Sequence, residues 1–331
     1  MLTIKEDEEL TNICEKKVRE LFGDNPDFEV RNRLERELTA IKENGYTGTY
    51  MMWRSIVKKS LDEGYPIGIR GCVGSSFVAY LAGITNINPL SNENGGYQIP
   101  AEVFMGLGFD KKPDFAINVS SNSYNSMDDN LHRLDIHEHP SCDMLHNLQE
   151  ATGVRIEDIP LDDEDVLKLL CDTELEIIQG IPEFGHEYAR DMIKKAKPKT
   201  FDDLVKISAL CHGTNVWDGN QEELFECGEI ELSNCIASRD DIMLFLMNKD
   251  MSKEDAYEIM ELVRKGKGLS DEKKALMKEC GVPDWYIKVC ERIRYLFPKA
   301  HCISYTMMVV QLAHYMLTYP IEYNEALSEI S

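Results

Sequence analysis

Two aspartates stand where a divalent cation could bind. Asp114 opens DFAINV at residues 114–119, and Asp135 lies in LHRLDI at residues 131–136; both segments are short strand candidates. Mg²⁺ takes carboxylate oxygens from proteins, and two-metal phosphoryl-transfer sites hold their ions about 4 Å apart. A further carboxylate on the same strand face would fall two residues after Asp114. Ala116 occupies that position, so spacing alone favours two solvated aspartates over a metal site.

A glycine-rich turn, GIRGCVGSSF at residues 68–77, joins a strand candidate at residues 65–69 to an apolar helix ending near Leu81. Such a junction places backbone N–H groups and hydroxyl groups at the positive, N-terminal end of a helix, where they can bind an anion. The GK[ST] sequence of a P-loop is missing, so a structural turn is the simpler interpretation. A phosphate site is the alternative, and it would use Gly71, Gly74, Ser75 and Ser76.

Cations of the C-terminal half fall in three short blocks: RDD at 239–241, RKGKG at 264–268 and FPKAH at 297–301. The RKGKG block is the strongest local basic feature. It follows a predicted helix, so its simpler interpretation is a glycine cap with cations that complement the helix dipole. His212, before a Gly-Thr pair, is interpreted on its own as a loop histidine.

The elements that must position these residues form two groups. Apolar periodicity predicts helices at residues 5–22, from Pro26 to Gly45, and from about Tyr50 to Glu63. The strand candidates 114–119 and 131–136 are separated by SSNSYNSMDDN, which predicts a hairpin loop. From Pro140 onward the pattern is almost entirely helical. A few strands followed by a run of helices indicate an α+β fold, divided into residues 1–150 and 151–331.

Composition restricts the function classes. The net charge is −23, which repels a polyanion, so any DNA binding must depend on local basic patches. Ten cysteines form no CxxC pair, which favours reduced thiols and a cytoplasmic location and offers no zinc-site spacing. No apolar run approaches the roughly 20 residues of a membrane span, and the acidic N-terminus is unlike a signal peptide.

Taken in order, these blocks resemble the PolC-type DNA polymerase III alpha subunit of Gram-positive bacteria. GIRGCVGSSFVAYLAGITNINPL is similar to the glycine-serine motif of the family, PDFAINV to its first aspartate strand and DNLHRLDIHEHP to its third. The later blocks follow in family order: TGVRIEDIPLDDEDVLKLL, GIPEFG, FDDLVKISALCHGTNVWDGN, RDDIM, VRKGKGL, VPDWYI and FPKAHCISY. The resemblance implies a DNA polymerase beta-like nucleotidyltransferase palm at residues 1–150 and a mostly helical fingers domain at residues 151–331.

The resemblance also implies roles for individual residues. Gly71, Gly74, Ser75 and Ser76 match the turn that holds the triphosphate of a dNTP. Asp114 and Asp135 match two of the three aspartates that bind Mg²⁺ and carry catalysis. Further nucleotide-binding candidates lie in matching fingers blocks: His212, Arg239, Arg264, Lys265, Lys267, Lys299 and His301.

The departures from the family pattern are as informative as the matches. Ala116 replaces the second aspartate, and Cys72 stands where a serine is usual. SNENGG replaces a cysteine zinc module, and SSNSYNSM replaces the thumb insertion. We therefore expect Mg²⁺ binding to be weak or lost, DNA to be held weakly and polymerisation to be lost.

Three functions remain open at this level. The favoured one is a catalytically impaired module that retains dNTP and Mg²⁺ binding. The second is a residual nucleotidyltransferase or DNA polymerase in which another carboxylate replaces the lost one, with four candidates: Glu102, Asp110, Asp128 and Asp129. The third is a non-enzymatic interaction module or decoy for a replication protein, whose identity the sequence does not indicate.

Overall fold

The computed structural model describes residues 2–90, 97–109, 111–171 and 181–330, and the chain forms two compact units that divide between residues 147 and 148. The helices of the first unit are α1 (Leu2–Phe22), α2 (Phe28–Glu43), α3 (Thr47–Asp62), α4 (Phe77–Leu81) and α5 (Ser121–Asn125). Its strands are β1 (Gly68–Gly71), β2 (Phe115–Val119) and β3 (Ile136–Glu138). The division falls within α6 (Pro140–Thr152).

The three N-terminal helices confirm the periodicity of the sequence. On α1, Leu10, Cys14 and Val18 are buried, which is the i, i+4, i+8 stripe of an amphipathic helix. The start of α2 is set by Asp27, whose carboxylate accepts a hydrogen bond from the Val30 amide at 3.0 Å. Gly45 follows the end of α2 with φ +70°. Glycine reaches that conformation without steric cost, so the helix ends there.

The sheet has the strand order β1-β2-β3, with β1 antiparallel and β3 parallel to β2. The hairpin expected at residues 120–130 is therefore wrong. The Ser120 hydroxyl caps α5 by accepting a hydrogen bond from the Ser123 amide at 3.0 Å, and α5 begins the crossover that a parallel pair needs. The expected strand at 131–136 is also wrong: residues 131–133 form a 3₁₀ turn, and β3 begins only at Ile136.

One face of the sheet packs on aromatic side chains of the same unit. The Phe115 ring lies 5.0 Å from the Tyr50 ring, 5.4 Å from the Trp53 ring and 5.0 Å from the Phe104 ring, measured between centroids. Ile117 of β2 is also fully buried on this side. Because strand side chains alternate, the even-numbered residues of β2 belong to the opposite, more polar face.

The second unit is helical, as the sequence predicted, so the whole described chain is α+β. Its helices are α7 (Glu164–Cys171), α8 (Glu187–Ala196), α9 (Phe201–His212), α10 (Glu222–Glu226), α11 (Arg239–Met247), α12 (Lys253–Arg264), α13 (Asp271–Glu279), α14 (Asp284–Arg292), α15 (Lys299–Thr318) and α16 (Pro320–Ile330). Most of α15 is buried, including Tyr305, Val309, Leu312 and Met316. An isolated bridge pairs Thr214 with Tyr295. Among the described residues, no helix combines the length and apolarity needed to cross a membrane.

Candidate functional site

Ala116 lies on the central strand, β2, with β1 on one side and β3 on the other. Ala116 pairs with Arg70 on β1. On the other side Ile117 pairs with Ile136, and the Ile117 amide donates to the carbonyl oxygen of Asp135 at 3.1 Å. By this register Asp135 is the residue across from Ala116 on the β3 side. Asp114 lies two residues before Ala116 in the chain. Asp114 and Asp135 are exposed, whereas Ala116 is 5% exposed. Strand alternation therefore assigns Asp135, and Asp114 just before β2, to the face of the sheet that carries Ala116.

Asp135 has a partner that the sequence analysis did not identify. His137 Nε2 forms a hydrogen bond with Asp135 Oδ1, and the two side chains are 47% and 52% exposed. They lie two residues apart at the start of β3, on the same face. The alternation of side chains along a strand, by which residues i and i+2 share a face, would have predicted this pair. It was missed because the strand was expected to end at Ile136.

The proposed replacement carboxylates differ in their surroundings. Glu102 is 3% exposed, and its Oε1 pairs with Arg36 Nη2 at 2.7 Å. Asp128 and Asp129 are exposed in the turn after α5, and Asp110 lies outside the described residues. Across the described part of the chain, no three His, Cys, Asp or Glu side chains could share a metal ion. A role for Asp114 and Asp135 as ligands of Mg²⁺ therefore stays a prediction.

Glu37 occupies the start of α4, where the glycine-serine turn was expected to hold an anion. Its carboxylate is fully buried. Oε1 accepts hydrogen bonds from the Phe77 amide at 3.0 Å and Arg33 Nε at 2.5 Å, and Oε2 accepts from Ser76 Oγ at 2.7 Å and the Val78 amide at 3.1 Å. The donors of this helix start therefore already serve an anion belonging to the chain.

Ser76 is committed to the same network. Its single hydroxyl hydrogen points to Glu37, so the Tyr50 hydroxyl at 3.0 Å must be the donor in the hydrogen bond between Tyr50 and Ser76. Ser76 Oγ also accepts from the Ala79 amide at 3.1 Å. Burial, helped by the nearby negative charge of Glu37, raises the pKa of Tyr50 well above its ordinary value. An open phosphate cradle at α4 is therefore not what the structure shows, and a nucleotide role for Ser76 stays a prediction.

The rest of the turn is held from α2 by Arg33. Its Nη2 donates to the carbonyl oxygens of Ser75 at 2.7 Å and Ile99 at 3.1 Å. Gly71 has φ +60° with no atom within 4 Å of an added Cβ, and Gly74 is buried within a 3₁₀ turn. Ser75 Oγ is fully buried and makes no hydrogen bond. Cys72, Val73 and Ser75 are buried, and the Ser75 amide donates to the Cys72 carbonyl oxygen at 2.9 Å, whereas Gly71 is partly exposed.

In the second unit, both ring nitrogens of His212 face oxygen atoms. Its Nδ1 lies 2.7 Å from the Ser208 carbonyl oxygen, and its Nε2 lies 3.0 Å from Glu183 Oε2. When Glu183 is ionised, both partners accept, so this geometry favours a ring with a hydrogen on each nitrogen. Burial alone lowers the pKa of His212, but the hydrogen bond and charge of Glu183 outweigh it and raise the pKa. Burial likewise favours neutral Glu183, yet His212 and nearby His301 and His186 lower the pKa of that carboxyl group.

The predicted fingers residues converge on one segment, residues 294–301. Thr214 exchanges backbone hydrogen bonds with this segment: its amide donates to the Tyr295 carbonyl, and its carbonyl accepts from the Arg294 amide, both at 3.0 Å. The Arg239 amide donates to the Phe297 carbonyl at 3.2 Å, and the Arg264 carbonyl accepts from the Leu296 amide at 3.3 Å. The His212 ring lies 5.3 Å from the His301 ring. The structure thus brings together His212, Arg239, Arg264, Lys299 and His301.

These residues are not equally accessible. Arg239 and His301 are each 5% exposed. Lys299 is half-buried, and it lines a cavity of about 260 Å³ with Asp202, Asp203, Lys206 and Asp241 among its walls. The Lys299 amide donates to Asp240 Oδ2 at 2.7 Å. Burial raises the pKa of Asp240, although the charge of Arg239 and this hydrogen bond act against the increase.

The RKGKG block forms a helix end, which confirms its simpler interpretation. The Gly266 and Lys267 amides donate to the Val263 and Leu262 carbonyl oxygens at 2.9 and 3.0 Å, the pattern of a Schellman cap. Glu261 pairs with both basic residues before the glycine: Oε2 lies 2.8 Å from Arg264 Nη2 and 2.7 Å from Lys265 Nζ. Lys267 is exposed. Two of the three cations in the block are therefore already paired with a carboxylate.

Two models of bacterial DNA polymerase III domains match this chain. Residues 8–133 match the bacterial DNA polymerase III alpha NTPase domain, and residues 141–281 match the bacterial DNA polymerase III alpha subunit finger domain. PolC-type DNA polymerase III of Clostridium perfringens is 31% identical over 468 residues, covering 96% of this chain and 32% of the relative. The Caldanaerobacter subterraneus protein is 30% identical, covering 95% and 33%, and a Staphylococcus aureus protein is 31% identical, covering 96% and 32%.

The lengths of these matches are informative. The chain spans about a third of the length of the curated relatives it matches. An aligned length of 468 residues exceeds the 331 residues of this chain, so more than a hundred positions of the aligned region have no counterpart here. Both domain models match in order, and the 31% sequence identity extends over 96% of the chain. The chain therefore belongs to the family of PolC-type DNA polymerase III alpha subunits.

Proposed function

We propose that this protein is a catalytically impaired derivative of the polymerase core, which binds a dNTP with one Mg²⁺ and does not extend a primer. In this proposal the first unit acts as a nucleotidyltransferase palm and the second as fingers. The observation that carries it is Ala116, whose neighbours on the sheet are Arg70 and Asp135. A methyl group replaces a metal ligand at the centre of the aspartate face.

The size of the defect follows from the missing ligand. A two-metal site stabilises the attacking and the leaving oxygen together, which contributes several kcal/mol. Each 1.4 kcal/mol or so of lost stabilisation costs about tenfold in rate. Removing the carboxylate that both ions share should therefore cost several orders of magnitude. Glu102, which is paired with Arg36, is not free to substitute.

Nucleotide binding makes smaller demands than catalysis. Mg²⁺ commonly reaches a protein with one or two carboxylates and the phosphates of its nucleotide, and Asp114 and Asp135 can supply those carboxylates. The triphosphate would lie against the turn at Gly71, which is partly exposed, since Glu37 already occupies the donors of α4. We propose binding in the micromolar to millimolar range, with DNA held weakly and no membrane association.

The direct test restores the carboxylate. Ala116→Asp and the uncharged control Ala116→Asn would be compared with the unchanged protein by thermal unfolding with and without Mg²⁺, by calorimetric titration with a dNTP, and by primer extension. Because position 116 is 5% exposed, Ala116→Asp should lower Tm in the absence of metal. Mg²⁺ should recover that loss in Ala116→Asp and leave Ala116→Asn unrecovered.

Three outcomes decide between the functions. Measurable dNTP binding without primer extension by the unchanged protein supports the proposal. Mg²⁺-dependent incorporation that Asp114→Asn abolishes would replace it with residual nucleotidyltransferase activity. No dNTP binding at millimolar concentration, together with no response of Ala116→Asp to Mg²⁺, would leave a non-enzymatic interaction module as the better description.

A further inference from the structure

We propose that the outer face of α1 and α2 binds a second copy of this chain, forming a two-fold symmetric dimer. Three features of this face carry the proposal: a groove with apolar walls, an exposed phenylalanine on the same face, and charges that alternate along both helices. The dimer is independent of dNTP and Mg²⁺ binding, because it uses no residue of the sheet or of the glycine-serine turn.

The groove between α1 and α2 has room for a large side chain. Its volume is about 510 Å³, whereas a cavity of about 150 Å³ is enough for a benzene ring. Its apolar walls include Val18 and Leu38, which are buried, and Leu34, which is half-buried. The charged residues around it are exposed: Glu15, Arg19, Asp24, Arg31, Glu35 and Lys42. An apolar centre inside a charged rim is the usual anatomy of a protein interface.

Phe28 supplies a side chain that such a groove can bury. Its ring is 81% exposed, although burial of an aromatic side chain is strongly favourable. Phe28 stands three residues before Arg31 and seven before Glu35, so helical periodicity places it on the stripe of α2 that lines the groove. Leu38 lies ten residues after Phe28, about 15 Å along the helix axis. The ring of one copy therefore cannot cover Leu38 of the same copy.

The charges of the rim alternate along both helices. Glu15 precedes Arg19 by one turn on α1, and Arg31 precedes Glu35 by one turn on α2. Residues 23–27 connect the two helices, so both arginines lie toward this link and both glutamates lie away from it. Within the described part of the chain, none of the four side chains forms an ion pair. The face therefore presents a positive and a negative band to a partner.

A two-fold axis satisfies these features together. If the axis crosses α2 midway between Arg31 and Glu35, α2 lies antiparallel to α2 of the second copy, and Arg31 faces Glu35 of that copy. Phe28 and Leu38 are equally distant from this midpoint, so Phe28 faces Leu38 of the second copy. On α1 the arginine likewise faces the glutamate of the second copy. An axis parallel to the helices would set arginine against arginine, which costs free energy, so the charges select the antiparallel arrangement.

The size of the face sets the strength of the contact. The 16 residues of α2 span about 24 Å, and two adjacent helices are about 20 Å wide. The dimer would thus bury roughly 500 Å² per copy and about 1,000 Å² in total, which is the lower limit for a specific interface. The net charge of −23 opposes association, although salt screens it beyond about 8 Å. The expected product is a reversible dimer with a Kd on the order of 10–100 µM.

Sedimentation velocity from about 5 to about 500 µM protein, a range that brackets this Kd, tests the proposal. Phe28→Ala should weaken association about tenfold or more and leave Tm at low concentration unchanged, because the ring is exposed in the monomer. Arg31→Glu and Glu35→Arg should each stay monomeric, since each sets like charges against each other across the axis. Glu35→Arg should do so even though it lowers the net negative charge. Lys16→Glu is the matched control, because Lys16 lies outside the groove and pairs with Glu20 at 3.9 Å.

A mixture of the two charge variants gives the sharpest result. Arg31→Glu and Glu35→Arg should form a heterodimer when combined in equal amounts, because every α2 pair across the axis again joins opposite charges. An unchanged chain that stays monomeric at about 500 µM would overturn the proposal and leave the groove to another occupant, such as a peptide. A dimer that persists in Phe28→Ala and in both charge variants would overturn it as well, since that dimer would use another surface. Failure of the mixed variants to associate would contradict the antiparallel pairing. None of these results bears on dNTP binding.

Discussion

Ser76 donates its hydroxyl hydrogen to Glu37 at 2.7 Å, and this bond joins α2 to the first turn of α4. Glu37 lies 39 residues before Ser76 in the chain, yet it accepts four hydrogen bonds around the glycine-serine turn and its own helix. The pattern of residues favours a structural turn here, and only the family resemblance implies a triphosphate. Instead the chain supplies the anion, so the turn is rigid before any ligand arrives.

Glu37→Gln tests this relationship. The amide group of glutamine presents donors to two of the groups that now donate to Glu37, and it removes the charge that Arg33 complements. We expect the free energy of unfolding to fall by about 2–4 kcal/mol. Urea denaturation would measure it, with Glu35→Gln, an exposed neighbour on α2, changing stability by less than about 0.5 kcal/mol. Equal stability of the two variants would contradict a structural role for the buried carboxylate.

The pair of His212 and Glu183 predicts a pH dependence of stability. The raised pKa of His212 contributes stability that is present below its ordinary value of 6.5 and is lost as pH rises through the raised value. The lowered pKa of Glu183 contributes stability that is present above its ordinary value of 4.5 and is lost as pH falls through the lowered value. The pair should therefore stabilise the protein most between these limits.

Glu183→Gln separates this pair from other titrating groups. An NMR titration of the His212 ring should show a midpoint above 6.5 in the unchanged protein and a lower midpoint in the variant. His186→Gln is a useful comparison, because His186 caps α8 through the Ala189 amide and contributes less to the pKa of Glu183. An unshifted His212 midpoint in Glu183→Gln would rule out the ion pair as its cause.

Gly266→Ala tests how the segment after α12 fits against residues 294–296. Gly266 has φ +62°, and an added Cβ would lie 2.6 Å from the Arg294 carbonyl oxygen. Gly268 has φ +73° but no atom within 4 Å of an added Cβ, so Gly268→Ala isolates the backbone cost of about 1–2 kcal/mol. Gly266→Ala should lose that amount and about 1–3 kcal/mol more from the clash. Similar Tm values for the two variants would show that the contact relaxes freely.

Glu261→Gln tests whether the paired cations of RKGKG can serve nucleic acid. The change releases Arg264 and Lys265 from their shared carboxylate. If they face a phosphate backbone, affinity for a single-stranded oligonucleotide should rise several-fold, and its salt dependence should steepen. Fluorescence anisotropy at two salt concentrations would measure both. Glu258→Gln, which removes one of the two carboxylates paired with Lys273, should have little effect, and an equal gain in both variants would indicate only the change in net charge.

Local signals in the sequence determined much of this protein. Apolar periodicity set the N-terminal helices, and the glycine-rich blocks set helix ends such as the cap at Gly266, because these features depend on residues within one turn of each other. The pattern of β2 was equally local, so the positions of Asp114 and Ala116 on one strand face could be predicted. The family resemblance, which rests on ordered motifs, also needed no structure.

Only the tertiary structure decided the contacts between distant segments. The buried carboxylate of Glu37 and the convergence of three segments on residues 294–301 join positions whose separation in sequence carries no periodic pattern. The start of β3 depended on pairing with β2, and that shift from the expected strand brought His137 beside Asp135. The sequence therefore established which residues could take part in chemistry. Packing decided which of them are buried, paired or open to a ligand, because burial and hydrogen bonding depend on neighbours that are distant along the chain.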